Sequence, residues 1–347
     1  MTAQAAASAA GSVTVRSSPS VFSYKEPWTA TYWEILQLFS FQLAGVGGAA
    51  AIAKTVVAPL SRAQILLQVQ PLSNTPVAER YTGLRDALWR IPREEGLLAL
   101  YRGNGANVMR IVPEVAFKFF LNDQFKVAFA PGDGYNTGLL ARMGAGAATA
   151  VVHTAMFYPL ELTRTRLAAD TAGRGRPRAY RGVIDCLLKT YRFERIPGLY
   201  KGMMASAVGV VPYMAVSLTA WDGLKQCLPT DKLSRQAWWF PFAQISCGIG
   251  AGLAAQVMCY PIDTVRRRMQ LTGSRGVAAG IQYYHLTGYR DCLVRMARLE
   301  GVSSFYRGLG INCLKTVPGA AIQFVAYDHI KYKLLNLDSA AASSALP

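Results

Sequence analysis

The chain is short of charge. Asp, Glu, Lys and Arg make up 16% of its 347 residues, against roughly 25% in a typical soluble domain. Acids are the scarcer sign: 20 Asp and Glu stand against 37 Lys and Arg, a formal net charge of +17. Histidine is scarcer still, with three residues (153, 285, 329) far apart in the sequence. The six cysteines (186, 227, 247, 259, 292, 313) include no C-x-x-C pair. These shortages leave no zinc-ligand spacing and no dithiol motif, and the cysteines read as small buried hydrophobes. No G-x-x-x-x-G-K-[ST] phosphate loop and no G-x-S-x-G nucleophile turn is present. Catalytic chemistry has no visible seat, and no metal site is expected. A charge of +17 fits a nucleic-acid binder on its own, but no zinc finger, aromatic-basic sheet motif or heptad-basic region accompanies it. Nucleic acid is therefore set aside as a partner.

What the chain has is apolar residues, 52% of the total, with glycine inside the apolar runs: "GVGGAAAIA" (45–53), "GAGAATAVV" (144–152) and "GIGAGLAAQV" (248–257). In a soluble helix each such glycine costs about 1 kcal/mol; in a membrane bundle it lets helices approach closely. The bases crowd the polar segments instead. Residues 171–201 carry eight Lys or Arg against Asp185 and Glu194, the asymmetry expected of loops on one side of a membrane. The reading is an integral membrane protein.

A threefold repeat sets the architecture. "EGLLALYRG" (95–103) recurs as "ERIPGLYKG" (194–202) and "EGVSSFYRG" (300–308). Ten residues after each final glycine stands Pro113, Pro212 or Pro318, and ten further on Asp123, Asp222 or Asp328. Lys126, Lys225 and Lys331 follow three residues later. Earlier in each unit a proline (Pro59, Pro159, Pro261) ends an apolar glycine-rich run, and the period is about 100 residues. After two of these prolines an acid comes at the second residue and a base at the fifth: Glu161 with Arg164, and Asp263 with Arg266. The first copy, "APLSRAQILLQ" (58–68), has Ser61 and Gln64 there. Each unit therefore predicts two long apolar helices joined through a basic loop and a short helix. Cations interrupt several of these runs (Lys54, Arg110, Lys118, Arg142, Lys315). With no acid read beside them, they predict a water-filled basic cavity suited to an anion.

The threefold P-x-[DE]-x-x-[KR] pattern, the aromatic-basic-glycine signature and the repeated D-x-x-K resemble the mitochondrial carrier family over about residues 38–337. The resemblance implies an all-α membrane protein with six tilted transmembrane helices in three pseudo-threefold repeats and short matrix helices. The repeats are expected at 38–130, 138–229 and 238–337, between tails at 1–37 and 338–347. It also implies a monomer in the mitochondrial inner membrane with no cofactor, bound cardiolipin as a lipid partner, and one central site opening alternately to either side.

In the family the charges of the odd helices form a matrix gate, and the D-x-x-K residues a cytoplasmic gate. Here the cytoplasmic ring is complete: Asp123, Lys126, Asp222, Lys225, Asp328, Lys331. In the matrix ring Glu161 is expected to pair with Arg266, Arg164 to face Ser61, and Asp263 to face Gln64. Gln68 and Gln270 resemble the glutamines that brace such pairs, and Pro59, Pro159 and Pro261 are the expected kinks. The defective ring predicts a carrier that favours its matrix-open state more than a relative with three full pairs.

For substrate, "YPLELTRTRLAAD" (158–170), "YPIDTVRRRM" (260–269) and "AKTVVAP" (53–59) are similar to ADP/ATP carriers. The resemblance puts Lys54, Arg110 and Lys315 on phosphates, and Gly209, Val210 and Tyr213 on an adenine ring; Lys118 stands where the ADP/ATP pattern has a neutral residue, an extra cation that fits a bulkier or differently placed phosphate. "RRRMQL" (266–271) departs from the R-R-R-M-M-M of the strict exchanger. Adenine-nucleotide exchange is the expectation. A coenzyme A or adenosine 3′,5′-bisphosphate carrier, and a receptor or scaffold that no longer transports, remain the alternatives.

Overall fold

A computed structural model describes residues 43–72, 76–129, 139–171, 178–229, 239–272, 286 and 288–344. The expected N-terminal tail lies outside them. All regular elements among the described residues are helical.

A π-helical turn, Leu43–Gly47, leads into α1 (Gly48–Val56), and the chain resumes after Val57 as α2 (Ala58–Val69), bent by 62°. Pro59 explains the break: it has no N–H to donate, and in a straight helix its ring would meet the carbonyl four residues back. At the first turn of a new helix neither matters. After a short helix, α3 (Leu84–Glu95), and a 3₁₀ turn (Leu97–Tyr101), α4 (Asn104–Phe129) completes the first repeat. The second repeat runs α5 (Leu139–Ala169), α6 (Val183–Leu199) and α7 (Met203–Gln226). The third runs α8 (Phe240–Leu271), α9 (Tyr289–Arg295) with further π and 3₁₀ turns, and α10 (Leu309–Ser344). Pro159 and Pro261 sit inside α5 and α8, which continue past them. Where a loose C-terminal tail was expected from 338, α10 runs on to Ser344. Its last turns read "DSAAASS", rich in the best helix former and free of proline and glycine.

Six long elements result: the bent pair α1–α2, then α4, α5, α7, α8 and α10. Helices α7, α8 and α10 are long and apolar enough to cross a membrane, and the bent pair makes a fourth such span. Helices α4 and α5 have the length, 26 and 31 residues, but their apolar surface is diluted by Arg110, Glu114 and Lys118 on one and His153, Glu161, Arg164 and Arg166 on the other. Packing runs α4 on α5, α7 on α8, and α10 on α1, so the last helix meets the first. The glycine runs serve these contacts. A Cβ at Gly48 would stand 3.5 Å from Ile330 Cδ1, and one at Gly250 3.2 Å from Leu224 Cδ1.

The core gathers at the proline-motif end. Within the first repeat Ala63 and Leu66 of α2 pack on Ala87 and Ile91 of α3; Val265 and Met269 of α8 pack on Cys292 and Met296 in the third. Between repeats, Ile65 and Val69 of α2, Ala168 and Ala169 of α5, and Leu271 of α8 form one buried cluster. The ends of three helices from three repeats thus converge on an apolar plug.

Candidate functional site

Buried arginine–glutamate pairs tie the short helices to the long ones. Arg62 Nη2 meets Glu95 at 2.9 and 3.1 Å, Arg166 meets Glu194 at 2.7 and 2.9 Å, and Arg268 meets Glu300 at 2.5 and 2.8 Å. The guanidinium forks of Arg166 and Arg268 match both carboxylate oxygens. Arg62 also donates to the Ala99 carbonyl and, at 3.2 Å, to that of Asp170 in the next repeat. The acids are those of the repeated E-G stretch, whose role is thereby accounted for. Sequence reasoning missed the arginines because they are out of register. Arg166 and Arg268 lie seven residues past their prolines, whereas Arg62 lies three past its own, one helical turn earlier on the same face.

The aromatic-basic-glycine signature closes against the proline motif. Tyr158 Oη donates to the Lys201 carbonyl at 2.7 Å, and Tyr260 Oη to that of Arg307 at 2.9 Å. Each ring stacks on the signature aromatic, Tyr200 or Tyr306, with centroids 6.2 and 6.4 Å apart.

Above the plug lie the charges of the expected matrix gate. Glu161 of α5 is ion-paired to Arg266 of α8. It also takes Arg110 of α4 at 3.3 Å and Arg267 at 3.8 Å. Gln270 Nε2 donates to Tyr158 Oη at 3.1 Å, and Gln68 Nε2 to Tyr260 Oη at 2.7 Å, so both glutamines act on tyrosines next to the gating residues. The first repeat behaves differently. Gln64 Oε1 accepts from Lys315 Nζ of α10 at 2.5 Å, and its Nε2 donates to Tyr260 Oη at 3.3 Å. Asp263 is half exposed, and among the described residues its one ion pair is with Arg266 on its own helix at 3.9 Å. Ser61 and Arg164 line one small cavity together with Lys54.

Of the cations expected in the central cavity, Lys54 lies close to Arg164 and Arg110, and Lys315 close to Arg164, Arg267 and Lys54. One expectation needs correcting: Arg110 does have acids beside it. Glu114, one turn along α4, holds it at 3.3 Å, as does Glu161, and Glu114 in turn meets His153 Nε2 at 3.2 Å. Sequence reading passed over Glu114, although its spacing of four from Arg110 signals the pair. Lys118 is exposed on the same stripe of α4, one turn further. On α7, Val210 is half-buried and Tyr213 exposed, the latter near Asp263. The space that a side chain at Gly209 would need is taken by Ile262 of α8, 3.2 Å from the Cβ position. In this state that glycine serves the contact between α7 and α8. The side chains of Arg142, Asp123 and Lys126 lie outside what is described. At the far end Asp222, Lys225 and Asp328 are exposed and Lys331 half-buried, and no ion pair joins these four.

One end of the bundle is thus sealed by an apolar plug, ion pairs and braced tyrosines, and the described charges of the other end are apart. Between them cations from different helices cluster. Six helices in three repeats, sealed at one end beneath a polar interior, define an alternating-access membrane carrier. The mitochondrial carrier protein model matches residues 38–132, 135–232 and 238–337, and the chain belongs to that family. It is a multi-pass protein of the mitochondrial inner membrane. It is 41% identical to ADP/ATP translocase 2 of Bos taurus over 297 residues, covering 83% of this chain and 95% of the relative. To ADP/ATP translocase 3 of Homo sapiens the figures are 40%, 83% and 95%. To ADP/ATP translocase 4 of Bos taurus they are 37% over 312 residues, 88% and 92%.

Proposed function

We propose that the chain exchanges ADP and ATP across the inner membrane, working as a monomer in contact with membrane lipid. The observation that carries this reading is the cluster of Lys54, Arg164 and Lys315, from three different helices, above a closed gate. Polyanionic phosphates entering from the open end would meet converging cations with few acids to compete. Lys54 and Lys315 hold the phosphates, with Arg110 and Lys118 along the α4 stripe, and Tyr213 offers an aromatic face for the base. Binding that draws Lys315 off Gln64 removes one link of the matrix gate, which couples occupancy to opening.

The coenzyme A reading drew on "RGNGANVMRIVPEVAFKF" (102–119), "GVVPYMAVS" (209–217) and "RGLGINCLKTVP" (307–318), which look closer to carriers of ATP-Mg and coenzyme A, and on the broken "RRRMQL". Gln270 and Leu271 are buried, one against Tyr158 and the other in the plug. That departure therefore falls on the gate and away from the cavity, and it weighs little on substrate choice.

The test is uptake of labelled ATP into proteoliposomes preloaded with ADP, with coenzyme A and adenosine 3′,5′-bisphosphate as competitors. Uptake that ignores both competitors and falls about tenfold or more in Lys315→Ala fits the loss of one charged contact. Strong competition by either compound would move the chain to the coenzyme A group. No exchange of any nucleotide would make it a carrier that no longer carries.

A further inference from the structure

Glu114 of α4 and His153 of α5 meet beside Arg110, and nucleotide exchange as described gives neither a task. Both are half-buried, with Glu114 Oε1 3.2 Å from His153 Nε2. The other ring nitrogen, Nδ1, lies 3.0 Å from the Thr149 carbonyl. A carbonyl only accepts, so Nδ1 carries a hydrogen. An ionised carboxylate also only accepts, so a neutral ring would turn the bare lone pair of Nε2 on Glu114. The contact is satisfied when the pair holds one further proton. Imidazole is the stronger base of the two, so the proton rests on the ring and the pair is imidazolium with carboxylate.

Glu114 also governs how free Arg110 is. Its second oxygen, Oε2, lies 3.3 Å from Arg110 Nε, yet that buried nitrogen has no acceptor in hydrogen-bond geometry. The other charges around this corner are Glu161 of α5, which takes Arg110 Nη1 at 3.3 Å, and Lys54 of α1, itself close to Arg164 of α5. Lys118 follows one turn along α4. Arg266 and Arg267 of α8 are ion-paired to Glu161. Among the described residues, α2, α6 and α7 bring no charged side chain into ion-pair contact with Glu114 or His153. With the proton on the ring, Glu114 is answered by His153 and its hold on Arg110 weakens. Without the proton, the pair carries a net negative charge that keeps Arg110 and repels an incoming anion. Phosphates compete with Glu114 for the same guanidinium. A proton on the pair and a nucleotide in the cavity therefore favour one another, each raising the affinity for the other by the same factor.

We propose that Glu114 and His153 form a proton-binding site beside the cavity, and that the carrier takes up a proton there, from water at the open end, as it binds a nucleotide. Its effect on nucleotide affinity rests on the reading that Arg110 meets nucleotide phosphates. The two residues position Arg110 and are not themselves expected to touch the substrate.

The experiment is uptake of labelled ADP into proteoliposomes preloaded with ADP, with KM read at about pH 6, 7 and 8, the range in which imidazole changes charge, and the same pH on both sides. For wild type, KM is expected to rise about fivefold or more across that range, with a smaller change in maximal rate. His153→Gln cannot take the proton and leaves Glu114 on Arg110, so its KM should be high throughout. Glu114→Gln frees Arg110, so its KM should be low throughout. Wild type should thus match Glu114→Gln at the acid end and His153→Gln at the alkaline end, a crossing that a merely structural role would not produce. Titration of the ADP phosphates is common to all three proteins and cancels in the comparison. If one variant does not fold, the other still tests its own end of the profile. Calorimetry of ADP binding in two buffers with different heats of ionisation counts the protons, and wild type should take up more than either variant. A wild-type profile parallel to those of the variants, or an equal proton count, overturns the proton site and leaves nucleotide exchange standing. No ADP uptake at any pH overturns the exchange reading and this inference with it.

Discussion

Gly103, Gly202 and Gly308 hold φ at +85°, +88° and +83°, a region that costs other residues roughly 1–2 kcal/mol. Space is short as well: a Cβ on Gly202 would lie 2.8 Å from Tyr158 Oη and 3.0 Å from the Arg266 carbonyl. Gly202→Ala should therefore cost at least about 2 kcal/mol, read as a fall of several degrees in the midpoint of thermal unfolding. Alanine at Gly252, where nothing lies within 4 Å and φ is ordinary, should leave the midpoint in place. The thiols divide in the same local way. Cys186 of α6 is fully buried, and desolvation pushes its thiol up to about 12, so the reactive thiolate is scarce. Cys227 is exposed. N-ethylmaleimide at pH 8 should label Cys227 in the folded carrier and Cys186 only after denaturation; early labelling of Cys186 would contradict the packing of α6. At this scale much was legible. The repeated glycines, the charges of the proline motifs and the glutamines could all be picked out by register. What they touch could not, because Gln68 and Gln270 reach tyrosines that lie 192 and 112 residues away.

Each short helix is fastened through a buried Arg–Glu pair, to which Lys201 adds at Glu194 and Arg307 at Glu300. Arg62 and Glu95 are 1% and 2% exposed, so neither charge has water to fall back on. Removing one partner strands the other and costs about 3–5 kcal/mol. Glu95→Gln should therefore lower the unfolding midpoint sharply. Asp86→Asn, which breaks a solvent-facing pair with Arg90 in the same helix, should move it little, in line with the roughly 0.3–0.5 kcal/mol of such pairs. Equal shifts in the two variants would mean that α3 is not anchored through Arg62. Element boundaries show where sequence patterns stop informing. The break at Val57 and the unbroken passage of α5 and α8 through Pro159 and Pro261 come from similar proline motifs. Proline chemistry alone does not distinguish them.

For the molecule as a whole, the repeat was the legible part, since a threefold period of two helices and a linker leaves few ways to close a ring. The balance between its two closed ends was not legible, because it depends on which helix reaches which gap. Lys315 shows this. Read as a cavity cation, it sits with Nζ 2.5 Å from Gln64, where a lysine in the first repeat would have been expected to meet Asp263. The consequence is specific. Completing the ring on paper calls for Ser61→Glu together with Gln64→Lys. In the folded carrier Ser61→Glu gives Arg164 and Lys54 the acid they lack. Gln64→Lys instead sets a second ammonium against Lys315 and removes the donor to Tyr260. Pairs at such partly wet positions contribute about 0–1 kcal/mol, and about 1.4 kcal/mol changes a two-state ratio tenfold. Ser61→Glu alone should therefore favour the matrix-closed state several-fold, and adding Gln64→Lys should return part of that gain. The measurement is thermal stabilisation by an inhibitor that traps the cytoplasm-open state, with the order Ser61→Glu above the double variant above wild type. If the double variant is instead the most stabilised, Lys315 does not hold Gln64 in the working gate, and Asp263 is the partner that position 64 lacks.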